Sequence, residues 1–237
     1  MSRQPPEQQA PPAQRVRVRY AKRGRLRFTS HRDFSRAFER AVFRARLPMA
    51  YSSGFNPHPR ISYAGAAPTG SASEAEYLEL ALAEVVDPAS VHAALDEALP
   101  DGLDVVEVVV SRGGGFAELL QASRWQLVVT VPVAEAQAAV AAFLAADEAP
   151  VQRMTKKGLR DFDSRAAVLS LAASEAEGGA LLDLVLRHLE PAVRPDDVLT
   201  GLASVGGLVV HGVPMLTRQA QGPYDEETGE IGDPLRP

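Results

Sequence analysis

"RVRVRYAKRGRLRFTSHRDFSRAFERAVFRARLP" (residues 15–48) changes its period part-way, and that change decides the fold. Val16, Val18 and Tyr20 alternate with Arg15, Arg17 and Arg19, the pattern of a half-buried strand. Gly24 marks a turn or bulge, after which "RLRF" resumes the alternation with Leu26 and Phe28 expected inward. Ser30 with Asp33 three residues on is a capping pattern for a helix start. Phe34, Ala37, Phe38, Ala41, Val42 and Ala45 then recur at helical spacing, and Pro48 closes the helix.

Strand and helix signals continue outward from there. "RISYAGA" and "YLELALAEV" read as strands, the second with Leu78, Leu80 and Leu82 inward. Asp87-Pro88 starts a helix reaching about Leu99, since proline suits the first helical position. "DVVEVVV" is the next strand, which completes a β-α-β-β-α-β order. The order repeats more loosely downstream. "WQLVVTV" is a strand and "VAEAQAAVAAFLAA" a helix. "PVQRMTK" and "SRAAVLSL" are expected to pair across the turn "KGLRDFD". "ALLDLVLRHL" is ambiguous, but the preceding Glu-Gly-Gly resembles a hairpin turn and favours a strand. Pro195 and Asp196 start a helix, and "GLVVHGVPML" closes the set. The expected fold is α+β: two tandem ferredoxin-like units with antiparallel sheets. A single continuous α+β domain is the alternative. The expected division is 15–112 and 118–218, joined by a linker at 113–117 within the Gly-rich "SRGGGF". Residues 1–14 and the acidic 219–237 are expected as disordered tails.

Composition is that of an ordinary globular protein, 46% hydrophobic and 23% charged over 237 residues. The absence of cysteine excludes disulfides, a thiol nucleophile and a cysteine-ligated cluster, and fits a cytoplasmic setting. No apolar run is long enough to span a bilayer, so no membrane partner is expected. The formal charge of −5 hides an asymmetry. Residues 1–70 carry 14 Lys and Arg against 3 Asp and Glu, while residues 71–150 carry 2 against 14. Either the two segments neutralise each other in the fold, or a basic face awaits an anionic partner.

Arg32, Arg36, Arg40 and Arg44 recur at every fourth position, a row along one helix face. Such a row is a common solvated face, but Arg25, Arg27 and the arginines of the first strand add to it here. The next stretch, "AYSSGFNPHPRISYAG" (50–65), interleaves aromatics and basic groups on a Gly-Pro loop. Tyr51 and Phe55 offer faces for stacking bases, Asn56 an edge reader, Arg60 a phosphate contact, and His58 stands between two prolines. The structural alternative is that Tyr51, Phe55 and Tyr63 pack on the sheet. Lys156, Lys157 and Arg160, near Arg165, form a second basic cluster. His31 and His58 are the candidate acid and base of a metal-independent ribonuclease, although no orienting partner is identifiable. No metal-ligand spacing, P-loop or dinucleotide fingerprint occurs, so no cofactor is expected.

Ser30-His31, the block Tyr51 to Pro59 and the run Gly70 to Tyr77 together resemble a bacterial radical-SAM-linked family of unknown function. "KKGLRDFD" and "RPDDVL" extend the resemblance, which covers roughly residues 15 to 218. Members occur alone or C-terminal to a radical-SAM domain, often encoded near ribonuclease and ribosomal-protein genes. The resemblance implies a role in RNA or ribosome-related metabolism, with RNA as partner. It also admits a protein-interaction module that docks a radical-SAM protein or an RNA-processing enzyme. It implies no radical chemistry in this chain, which lacks the cysteines such a cluster needs.

Overall fold

Alternating strands and amphipathic helices build two compact units, which divide between Ala117 and Glu118. The computed structural model describes residues 8–155 and 158–236. Among these, mixed α+β structure with four α-helices is found, and neighbouring strands within each unit run antiparallel.

The first unit contains β1 (Gln14–Lys22), α1 (His31–Arg44), β2 (Ile61–Ala64), β3 (Ala72–Leu82), α2 (Pro88–Ala98) and β4 (Leu103–Val110). Its strands lie in the order β4-β1-β3-β2. Val16, Val18 and Tyr20 of β1 and Leu78, Leu80 and Leu82 of β3 share one core with Phe34, Phe38, Ala41 and Val42 of α1 and with Val91 and Leu95 of α2. The period-2 and period-3.6 patterns thus meet in a single layer of side chains. Both helices begin as their caps dictate. The Ser30 hydroxyl accepts from Asp33 N at 3.2 Å, and the Asp87 carboxylate accepts from Ser90 N at 3.3 Å.

The opposite face of β1 resolves part of the charge asymmetry. Arg17 is only 2% exposed, pairs with Glu79 at 3.3 Å and stacks over Phe116 at 4.3 Å. Its guanidinium also donates to the carbonyl of Gly113 at 2.8 Å and that of Gly114 at 3.2 Å. Both glycines have positive φ, 84° and 77°, a conformation costly for other residues. The Gly-rich segment is therefore an anchored turn around a buried arginine. Arg15 pairs with Glu79, Arg19 donates to the Glu74 carbonyl, and Arg23 bridges Glu74 and Asp104. Within the first unit, the arginines around β1 are neutralised by the acidic segment.

The second unit contains β5 (Ala122–Thr130), α3 (Val133–Ala145), β6 (Pro150–Thr155), β7 (Gly158–Asp163), β8 (Val168–Ala176), β9 (Gly179–Arg187), α4 (Pro195–Gly206) and β10 (His211–Gly222). Its main strands lie in the order β10-β5-β9-β8, and β6 pairs with β7 in a separate two-stranded sheet. The two helices pack closely because Gly206 lets them approach. A methyl group there would stand 2.7 Å from Ala139 backbone atoms.

Three expectations are corrected. "GRLRF" is a short 3-10 turn, Gly24–Phe28, closed by Leu26 N to Arg23 O at 3.1 Å. In that geometry Leu26 and Phe28 cannot share a face, and Phe28 is 58% exposed. "KGLRDFD" is the strand β7 rather than a turn. Gly158 takes φ 104° beside the closing pair Thr155↔Gly158, and the Asp163 carboxylate accepts from Ala149 N at 2.7 Å to seal the other end. β8 consequently pairs with β9, across the Glu177-Gly178 turn. The segment 219–237 is not a disordered tail over its described residues. β10 runs to Gly222, Tyr224 bridges Ile231, and Leu235 is buried. At the other end, residues 1–7 lie outside the described residues. Within 8–14, Ala13 N donates to Leu82 O at 2.9 Å and Gln14 already belongs to β1.

Candidate functional site: the outer face of α1

Helical spacing of 3.6 residues puts Arg36, Glu39, Arg40 and Phe43 on one face of α1. They line a hollow of about 450 Å³. A second hollow of about 740 Å³ adjoins it, sharing Glu39 and Phe43 and continuing to Arg46, Leu47, Met49, Tyr51 and Pro59. Phe43 stands between the two and is 81% exposed. A phenylalanine so placed contributes little to folding.

The end of α1 explains how the second hollow is made. Ala45 is the C-cap, Arg46 N donates to Phe43 O at 3.1 Å, and Leu47 N donates to Val42 O at 3.2 Å. This is a Schellman closure, whose left-handed position normally carries glycine. Here it carries Arg46, with φ 52°. A residue bearing a Cβ costs about 1–2 kcal/mol in that region, so the arginine is held there at some expense of stability.

The chain then enters a hairpin. Ala50 N donates to Ala81 O at 2.8 Å and Arg60 N to Ala50 O at 2.8 Å, which ties its neck to β3. Tyr51 bridges Pro59, Ser52 N donates to His58 O at 2.9 Å, and His58 N donates to Ser52 Oγ at 3.0 Å. The loop is thus a closed projection. Phe55, Asn56 and His58 are exposed on it, Phe55 at 64%. Tyr51 is exposed near the neck, where it joins the hollow.

Tyr63 behaves differently from the loop aromatics. Its ring meets Phe34 edge-on at 5.6 Å and His31 at 5.2 Å. Burial pushes its phenol up to about 12, partly offset by the Ser35 hydroxyl and reinforced by the negative charge of Glu39. His31 lies exposed at the start of α1, against Tyr63. No hydrogen bond or ring contact joins His31 to His58 among the described residues, and no hydrogen bond to either imidazole is found among them. No cluster of three or more metal-ligating side chains occurs among the described residues.

The arginines separate into two classes. Arg44 donates to the carbonyl of Ala98, the last residue of α2, and so caps that helix. Arg27 lies over the Phe28 ring at 4.7 Å and is half-buried. By contrast, none of Arg25, Arg32, Arg36, Arg40, Arg46 and Arg60 has a side-chain ion pair among the described residues. Glu39 pairs with neither Arg36 nor Arg40. In the second unit Arg160 is exposed on β7, while Arg165 donates to the Val168 carbonyl at 3.2 Å. Lys156 and Lys157 lie outside the described residues.

Residues 15–195 match the family described as "Uncharacterized protein conserved in bacteria (DUF2344)". The chain belongs to that family. The DUF2344 match contains every residue of the α1 face and of the hairpin. A chain in the solved structure "Crystal Structure of a Cbf5-Nop10-Gar1 Complex" is similar at 12% identity and a TM-score of 0.47. That match covers 89% of this chain and 50% of the other, so the protein spans about half the length of the solved chain. No curated protein matches. No helix among the described residues is long and apolar enough to cross a membrane.

Of the residues singled out in the sequence, Arg36, Arg40, Arg44 and Tyr51 line the hollows. Phe43, Glu39 and Arg46 were not among them. Phe43 carries a readable signal: it is the large aromatic that falls off the apolar stripe of α1, between Arg40 and Arg44. Arg46 carries none, because its left-handed backbone depends on where the helix stops.

Proposed function

We propose that the protein binds single-stranded or looped RNA along the outer face of α1, with the 50–60 hairpin as a second wall. The observation that carries this reading is Phe43, exposed between two hollows lined also by Arg36, Arg40 and Arg46, none of which has an ion pair among the described residues. An exposed ring offers a stacking platform for an unstacked base, worth roughly 1–3 kcal/mol per base. Arginines without carboxylate partners supply phosphate contacts. A duplex keeps its bases stacked and has no use for the ring, which favours single strands and loops. Phe55 on the hairpin is a second platform, with Asn56 and Arg60 nearby in sequence.

The 4-1-3-2 strand order within each unit supports describing each as ferredoxin-like, the second with a hairpin inserted after α3. The resemblance to the radical-SAM-linked family makes a radical-SAM protein or RNA-processing enzyme the class of protein to which bound RNA would be presented. For a ribonuclease acting through His31 and His58, no hydrogen-bonding group that would orient either imidazole is found among the described residues.

The test is titration of pure protein into labelled single-stranded RNA and into a duplex of the same sequence. Tighter binding of the single strand, lost in Phe43→Ala, is expected. Equal or tighter binding of the duplex would overturn the reading, as would binding only to an acidic protein partner.

A further inference from the structure

Glu39 is the anomaly of the α1 face. It lines both hollows, lies within one helical turn of Arg36, Arg40 and Phe43, and makes no ion pair with either arginine among the described residues. A carboxylate on a phosphate-binding surface repels the backbone it should attract. On such a surface it gains a role in recognition if it accepts hydrogen bonds from a base.

We infer that the groove beside Phe43 selects an unpaired guanine, with Glu39 reading its Watson–Crick edge. This rests on the RNA-binding reading above. An ionised carboxylate is purely an acceptor, with two oxygens side by side. It matches an edge that presents two adjacent donors. Guanine does so through N1–H and the N2 amino group. Adenine and cytosine each set a ring-nitrogen acceptor beside their amino donor, and that lone pair faces the second carboxylate oxygen. Uracil places its N3–H between two carbonyl acceptors. Guanine is therefore the base that fills both oxygens without repulsion.

Position on the helix supports this pairing. Residues four apart have side chains about 5–6 Å apart at Cβ, so a base stacked on Phe43 brings its edge within reach of Glu39. The arginines supply the complementary contact. A guanidinium donates to guanine O6 and N7, acceptors on the other edge of the base.

The test measures fluorescence anisotropy of labelled oligouridines, each carrying one central guanosine, inosine, adenosine or cytidine. The wild-type protein should bind the guanosine strand about 5- to 150-fold more tightly than the adenosine strand. Inosine, which lacks the N2 amino group, should fall between them. Glu39→Ala should erase the preference while leaving adenosine-strand affinity equal or higher, since a repulsive charge is gone. Alanine at this exposed helical position favours folding, and circular dichroism checks that the variant is intact. Equal wild-type affinity for all four strands would overturn the guanine inference while RNA binding stands. A preference surviving in Glu39→Ala would overturn the role of Glu39. Failure of every strand to bind at low salt would overturn the RNA-binding reading, and this inference with it.

Discussion

Replacing Arg46 by glycine should raise stability and lower RNA affinity in the same variant. Arg46 sits at φ 52° in the left-handed position of the closure that ends α1. Relief of that backbone strain is worth about 1–2 kcal/mol. Glycine also loosens the unfolded chain, which takes back about 0.5–1 kcal/mol. The net gain is thus roughly 0–1.5 kcal/mol, because no ion pair or side-chain hydrogen bond of Arg46 is lost among the described residues. The guanidinium, however, leaves the larger hollow. One phosphate contact fewer should flatten the plot of log affinity against log salt by about 0.7 for a single strand. Chemical denaturation gives the first quantity, and titration at several salt concentrations gives the second. General damage to the protein cannot raise one while lowering the other. Unchanged affinity in Arg46→Gly, or a loss of stability, would refute the idea that the arginine is kept there for binding.

Other predictions address the remaining parts of the molecule. Phe43→Ala should weaken single-stranded RNA binding by roughly 1–3 kcal/mol with little change in melting, whereas Phe38→Ala, at a fully buried position of the same helix, should cost about 3–5 kcal/mol of stability. Stability should fall with acid through His188, whose Nδ1–H donates to Leu120 O at 2.7 Å while Nε2 lies 3.0 Å from the Ser123 hydroxyl. Burial, aided by the Arg218 charge, lowers its pKa despite the Leu120 bond. The stabilisation is therefore present above the unfolded value of about 6.5 and lost as pH falls through the lower folded one. Urea unfolding followed by the single tryptophan, Trp125, should show this decline, and His188→Gln should flatten it. Gly206→Ala should destabilise the second unit, since overpacking against Ala139 costs about 1–3 kcal/mol and exceeds the helix-propensity gain; an unchanged denaturation midpoint would show the helices yielding freely. Limited proteolysis should spare residues 219–236, given the Tyr224–Ile231 bridge and buried Leu235; early trimming there would contradict the described C-terminal segment.

The elements of the first unit were legible because local and tertiary signals agree in them. Ser30, Asp87 and Pro88 cap helices as their chemistry requires, and the alternation in β1 and β3 faces one core. Legibility ended where backbone sign or long-range pairing decides. Gly24 turns "RLRF" out of the sheet, and Gly158 opens a strand where a turn was expected. The polar 219–237 segment carries little apolar material, yet Pro234 and Leu235 are buried. The same limit applied at the site. Rows of arginine are visible in the sequence, but not which of them are spent. Arg17 is buried on Glu79, and Arg44 caps α2 across a separation of 54 residues. Only the folded arrangement shows Arg36, Arg40 and Arg46 beside Phe43 with no ion pair among the described residues.

The most direct measurement is the salt dependence of binding to a single-stranded RNA octamer, for wild type and for the double variant Arg36→Gln/Arg40→Gln. Both side chains are exposed and have no ion pair among the described residues, so the variant should melt like wild type. If both contact phosphates, the slope should flatten by about 1.4, twice the single-strand value of about 0.7 per contact. An identical slope for the two proteins, with both folded, would contradict the assignment of the α1 face as the RNA-binding surface.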